Sequence, residues 1–136
     1  KGDCGIQALL FITMCRIAGV PARWQAGLYA NPRDIGCHDW AQFYIEPYGW
    51  LYADCSFGGG AYRDDVKERR EFYFGNLDPF RIPMNSEFGW EFTPPMKRPG
   101  SDPYDNQTGE AEYGDRALIR DELDTAHEII EIREIE

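Results

Sequence analysis

A run of apolar residues, bracketed by a helix start and a helix stop, opens this chain and limits what it can become. Ile6 to Ala18 is apolar at almost every position, interrupted only by Gln7, Thr13 and Arg16. Asp3 ahead of it is a good N-cap, because its carboxylate accepts backbone N–H groups that the first turn leaves unpaired. Gly19 suits the C′ position, and Pro21 blocks continuation. A helix apolar on all faces is buried inside a protein or spans a membrane. This one is too short for a bilayer, so the expectation is a buried central helix. Cys4 falls at its N-terminus, where the helix dipole favours a thiolate. Cys15, in the last turns, reads as a small buried hydrophobe.

The 136 residues are one domain's worth of chain, and 43% hydrophobic against 28% charged residues allows a real core. A formal net charge of −10 argues against nucleic acid or an anionic membrane as partner. Residues 110–136 carry ten acidic residues against three arginines, which reads as a solvated face. The four cysteines show no C-x-x-C spacing, and no metal or cofactor is expected. No signal peptide or membrane-spanning stretch is visible. Because the chain starts at a helix cap, the expectation is a piece of something longer. A secreted or periplasmic setting is the expectation for compartment, and the oligomeric state is open.

Behind the helix, Val20–Tyr29 reads as a strand. Asn31–Gly36 reads as a loop, and Cys37–Ile45 as a strand with alternating polarity. Glu46-Pro47-Tyr48-Gly49 is a tight turn, and Trp50–Cys55 its antiparallel partner. Gly58-Gly59-Gly60 reads as a flexible rim, and Asp64–Phe72 as a short helix or a solvated turn. Phe72–Gly75 and Phe88–Phe92 read as two more strands, and Lys97–Thr108 as a surface excursion. In the tail, the Ile130/Ile132 alternation favours a strand. The expected architecture is α+β: the Cys4 helix packed on an antiparallel sheet, with a core over residues 1–95. Residues 96–136 form an extension of loop and strands packed on it.

Three residues form a constellation: Cys4 at a helix N-terminus, His38 at the start of one hairpin strand, and Asp54 near the end of the next. A thiol nucleophile needs a base for its proton, and the base needs a third group that fixes its tautomer. A turn at residues 46–49 places His38 and Asp54 within about two positions of each other across the hairpin. The helix packed under the sheet then presents Cys4 to His38. His127, the other histidine, reads as an ordinary surface residue. The same register brings Cys37 and Cys55 near each other. A disulfide there is one reading, and two reduced thiols under the sheet is the preferred one.

These residues lie in three blocks: Gly2-Asp3-Cys4 with Arg16–Arg23 and Gly27-Leu28-Tyr29; His38–Tyr44; and Gly49–Asp54. As an ordered set they resemble the transglutaminase-like superfamily of papain-like cysteine enzymes. The resemblance covers about the first 58 residues. It implies Cys4 as nucleophile, His38 as general base and acid, and Asp54 as the residue orienting it. Two positions depart from the family pattern: Gln42 where Glu is frequent, and Cys55 where Pro usually follows the Asp. Gly58–Glu112, with Phe74–Asp78 and Asp105-Asn106-Gln107, is similar to extensions in bacterial members. The implied activity is acyl transfer or hydrolysis at an amide bond of a peptide, a protein or another amide-containing substrate, with hydrolysis favoured. Two alternatives compete with it. One is a non-catalytic peptide- or carbohydrate-binding module, for which the 15% aromatic content would supply stacking surfaces. The other is a metal site on the same three residues. A Cys, His and Asp in register argue against a pure binder, and a helix-capped Cys beside one His fits nucleophile chemistry better than zinc.

Overall fold

The computed structural model describes residues 2–98 and 110–134. Helix α1 (Cys4–Ile17) forms between the predicted caps. The Asp3 carboxylate accepts the Ile6 N–H at 3.0 Å. At the other end Gly19 takes a positive φ of 79°. Its N–H bonds the Arg16 carbonyl at 3.1 Å, while the Val20 N–H bonds the Cys15 carbonyl at 2.8 Å. That pair of bonds is the Schellman closure, which spends carbonyls the last turn would leave unpaired.

Five antiparallel strands make the sheet: β1 (Ala22–Asn31), β2 (Asp34–Ile45), β3 (Gly49–Ala53), β4 (Phe74–Gly75) and β5 (Arg81–Asn85). Their order is β4-β3-β2-β1-β5. Helices α2 (Cys55–Arg63) and α3 (Lys67–Phe72) link β3 to β4. A separate hairpin pairs β6 (Glu112–Tyr113) with β7 (Arg116–Ala117). The fold is α+β, with the Cys4-bearing helix packed against the sheet. Ala8 and Ile12 of α1 meet Ala22, Trp24 and Ala26 of β1, Ala41 and Phe43 of β2, and Ala53 of β3. The alanines let the helix approach the sheet closely, and Phe43 fills the space toward Phe11 and Phe74.

Several expectations are corrected. Helix α1 is buried on one side only: Ile6, Leu10, Met14 and Ile17 form an exposed stripe away from the sheet. Apolar content on every face did not mean a partner on every face. Gly58-Gly59-Gly60 lies inside α2 rather than in a rim loop. The fifth strand is not Phe88–Phe92 but Arg81–Asn85, despite Pro83. An edge strand pairs on one side only, so a proline is tolerated there. Phe88 instead packs edge-on against Trp24, with centroids 5.1 Å apart. Residues 123–134 have no regular structure, and Ile130 is 93% exposed. β-branched alternation reports a fit to a pleated surface, and among the described residues no strand pairs with this segment. Most of the Lys97–Thr108 excursion, with Asp105-Asn106-Gln107, lies outside the described residues.

Gly27 is where β5 can close on β1. A Cβ at Gly27 would lie 2.0 Å from the Ile82 carbonyl oxygen and 2.9 Å from the Met84 nitrogen. Both neighbours are backbone, so the strand itself would have to move. Gly27→Ala is expected to lower stability by about 1–3 kcal/mol in denaturant unfolding. Gly36→Ala, where an added Cβ meets nothing within 4 Å, is the control and should stay within about 0.5 kcal/mol. Equal effects of the two substitutions would refute the close-approach account.

Candidate active site

Side chains alternate along β2, so His38, Trp40 and Gln42 share one face while Asp39, Ala41 and Phe43 face α1. His38 lies opposite Gly27 on β1, which leaves room above the partner strand. The β2–β3 register pairs Ala41 with Ala53. Asp54, one residue past β3, is therefore level with Trp40 and two positions from His38. His38 Nε2 and Asp54 Oδ2 are 2.8 Å apart, with both side chains buried. The other carboxylate oxygen accepts the Ser56 N–H at 3.1 Å and the Phe57 N–H at 2.9 Å. The Asp54 carbonyl accepts the Gly58 N–H at 2.9 Å. Asp54 is thus the N-cap of α2, and the helix start holds its carboxylate plane. Phe57 walls the imidazole, its centroid 4.8 Å from the ring. Trp40 lies behind, fully buried, its indole N–H donating to Gln25 Oε1 at 2.7 Å. Trp50 is partly exposed over the hairpin, with Arg23 above its ring at 4.1 Å.

Burial alone would raise the Asp54 pKa. The His38 hydrogen bond and charge, the Phe57 N–H and the Arg81 charge outweigh it and hold the carboxyl below its ordinary value.

Cys4 is placed differently from the expectation. Its sulfur donates to Asp39 Oδ2 at 3.2 Å. Asp39 is buried and belongs to the α1-facing set of β2, the face opposite His38. The structure therefore brings His38 and Asp54 together and holds the Cys4 thiol on the neighbouring carboxylate. The surroundings of this thiol work against the thiolate that the helix end favours. Burial first, then the Asp39 charge and hydrogen bond, push the Cys4 thiol up to about 12. Backbone N–H groups of Asp39 and Gly5 pull the other way without prevailing. The helix end favours the anion, but a half-buried thiol facing a carboxylate keeps its proton.

The cysteine bridge is not supported by the register. Cys37 lies opposite Leu28 of β1, and Cys55 is the first residue of α2. The hairpin ends before it would set them face to face. The Cys55 thiol is pushed up to about 11 by burial, by Asp54 and by Cys15.

Arg81 is the residue that sequence reasoning missed. Its side chain is 3% exposed, and Nη1 lies 2.8 Å from Asp54 Oδ2, the oxygen that also meets His38. Nη2 and Nε reach Asp78 Oδ2 at 2.8 and 3.0 Å. The only local signal was an acid three residues before a base. A cavity of about 610 Å³ adjoins Asp54, between Phe11, Gly58, Gly59, Tyr73 and Phe74. Its largely apolar wall suits an apolar group.

With a buried His–Asp pair and a cysteine at a helix N-terminus in place, comparison with known families gives one match, over part of the chain. Residues 1–55 match the transglutaminase-like superfamily. No curated protein and no solved structure matches the chain. The transglutaminase-like segment contains Cys4, His38 and Asp54, and it ends where α2 begins. Helix α1, β1, β2 and β3 all fall inside it; β4, β5 and Arg81 fall outside.

Two outcomes follow for this site. Asp39→Ala removes the acceptor and the negative charge at the Cys4 sulfur. It should speed iodoacetamide alkylation of Cys4 near neutral pH by about tenfold, the gain in thiolate for each pKa unit recovered. An unchanged rate would mean that burial alone sets the thiol. For Asp54, a folded pKa below the unfolded value of about 3.9 adds stability at pH above that value. The contribution is lost as pH falls through the folded pKa. The stability gap between parent and Asp54→Asn should therefore narrow below about pH 4. A gap that stays constant through acid would contradict the linkage.

Proposed function

We infer that this chain carries a thiol-dependent acyl-transfer centre acting on amide bonds, with hydrolysis as its ordinary outcome. The observation that carries the reading is the buried His38–Asp54 contact of 2.8 Å inside the segment matched to the transglutaminase-like superfamily. Asp54 engages Nε2, which leaves Nδ1 as the nitrogen available for proton exchange with a thiol. In the resting arrangement Cys4 is stored on Asp39 as a neutral thiol. Turnover requires the sulfur to leave Asp39 and meet the His38 ring.

The cycle then balances simply. His38 takes the Cys4 proton, and the thiolate attacks the amide carbonyl. His38 returns that proton to the departing amine, leaving a thioester on Cys4. Water loses a proton to His38, attacks the thioester and releases the acid; the proton goes back to sulfur. An amine in place of water gives transamidation. Asp54 keeps the imidazole oriented and offsets its charge when it is protonated. The Cys4 backbone N–H, at the helix start, is a donor candidate for the oxyanion. Peptide, protein and small amide substrates all fit this chemistry.

The test uses a p-nitrophenyl ester as acyl donor and mass spectrometry to locate the adduct. An acyl group on Cys4 that hydroxylamine removes is expected, absent in Cys4→Ala. His38→Ala should slow its formation by about 10²–10⁴-fold, the usual worth of a general base. Acylation spread evenly over Cys15, Cys37 and Cys55, or indifferent to His38, would overturn the reading.

A further inference from the structure

Arg81 lies outside the segment matched to the superfamily, yet it shares an oxygen with the His38–Asp54 pair. We propose that Arg81 is a positioning residue that holds the Asp54 carboxylate and sets the net charge facing His38. The proposal rests on the acyl-transfer reading for its meaning, but its geometry stands apart from it.

The guanidinium is aimed by Asp78, whose Oδ2 takes the Nε and Nη2 bonds, and that carboxylate also accepts the Tyr73 hydroxyl at 3.0 Å. Nη1 sits 2.8 Å from Asp54 Oδ2 without the alignment of a hydrogen bond, so this contact is ionic. One rigid fork thereby spans two carboxylates, which a lysine ammonium on a flexible stem cannot reproduce. Two rings complete the clamp. Arg81 Cζ lies 4.5 Å from the Phe57 centroid and 4.8 Å from that of Tyr29. Both rings also neighbour His38, at 4.8 and 6.5 Å. The His38, Asp54 and Arg81 side chains are all buried, so the charges act at short range with little screening.

The charge count then decides what His38 does. The titratable groups around it are Asp54 from the β3–α2 junction, Asp78 and Arg81 from the β5 approach, Tyr29 from β1 and Tyr73 from beside β4. Cys55 sits behind Asp54. Tyr73 keeps its proton, its hydroxyl pushed up to about 12 by burial and Asp78. Asp39 points to the other face of β2. Asp54, Asp78 and Arg81 together leave one negative charge facing the imidazole, while Arg70 and Glu71 of α3, on the cavity beside Asp54, carry opposite charges. Without Arg81 there would be two, and the imidazole would hold its proton to higher pH. A ring that already carries a proton cannot accept one from a thiol. Arg81 therefore keeps His38 available as a base while Asp54 still orients it. The route is topological: β5 must lie beside β1, and Gly27 is the gap that lets it.

The test is an NMR pH titration of the two histidine rings, His38 and the exposed His127, in the full chain. Arg81→Met should move the His38 midpoint upward by about half a pH unit or more, with His127 unmoved. Arg81→Lys should restore most of the parent value, and Asp78→Asn should shift it downward. A folded Arg81→Met protein with an unchanged His38 midpoint would overturn the proposal. Should that variant fail to fold, an unchanged midpoint in Asp78→Asn overturns it equally. Ester acylation of Cys4 in the parent reports separately on the catalytic reading. A shifted midpoint with no Cys4 adduct sinks the enzyme and keeps the clamp; an adduct with no shift does the reverse.

Discussion

One carboxylate ties the molecule together. Asp54 meets His38 and Arg81 through one oxygen and the first amides of α2 through the other. It ends β3, starts α2, orients a ring on β2 and anchors the edge strand β5. A buried carboxylate without such partners would cost several kcal/mol or take up a proton. Here both oxygens accept hydrogen bonds, and burial is offset by those bonds and by the Arg81 charge. Removing any one donor leaves the rest facing a less compensated anion. The geometry of the site and the packing of β5 against the sheet are therefore coupled through a single residue.

The two faces of β2 divide the chemistry. His38 looks toward Phe57, Tyr29 and Arg81, while Asp39, one residue on, looks toward α1 and takes the Cys4 proton donor. A thiol held on a carboxylate in a half-buried place is chemically quiet, because both desolvation and like charge oppose its ionisation. The helix N-terminus pulls toward the thiolate, but its effect at a partly buried site is of order 1–2 kcal/mol. Burial and the Asp39 charge push the thiol the other way, up to about 12, and prevail. Reactivity at Cys4 is therefore governed by what surrounds the helix end more than by the end itself.

Local rules explain which elements were legible. The α1 caps, the hairpin around residues 46–49 and the strand alternation of β2 depend on neighbours within a few positions, and each forms as its residues dictate. The His38–Asp54 meeting was legible for the same reason: a tight turn transmits register along two strands. The polyglycine run in α2 was misread because propensity disfavours glycine in helices, whereas here the Asp54 cap and packing between α1 and α3 hold the helix. Phe88–Phe92 and the isoleucine tail show the converse failure. Alternation becomes a strand only where a sheet edge is free to receive it, and in this fold the edge beside β1 is taken by β5.

The sequence by itself determined the caps of α1, the hairpin and the order of the three blocks that carry Cys4, His38 and Asp54, because those features rest on short-range backbone chemistry. Tertiary structure alone decided that Cys4 sits on Asp39, that one flank of α1 stays bare and that Arg81 reaches Asp54. Each of these depends on how elements distant in the chain come together. Their strength comes from burial and from charges brought together in a low-dielectric interior, and neither quantity exists until the sheet has closed.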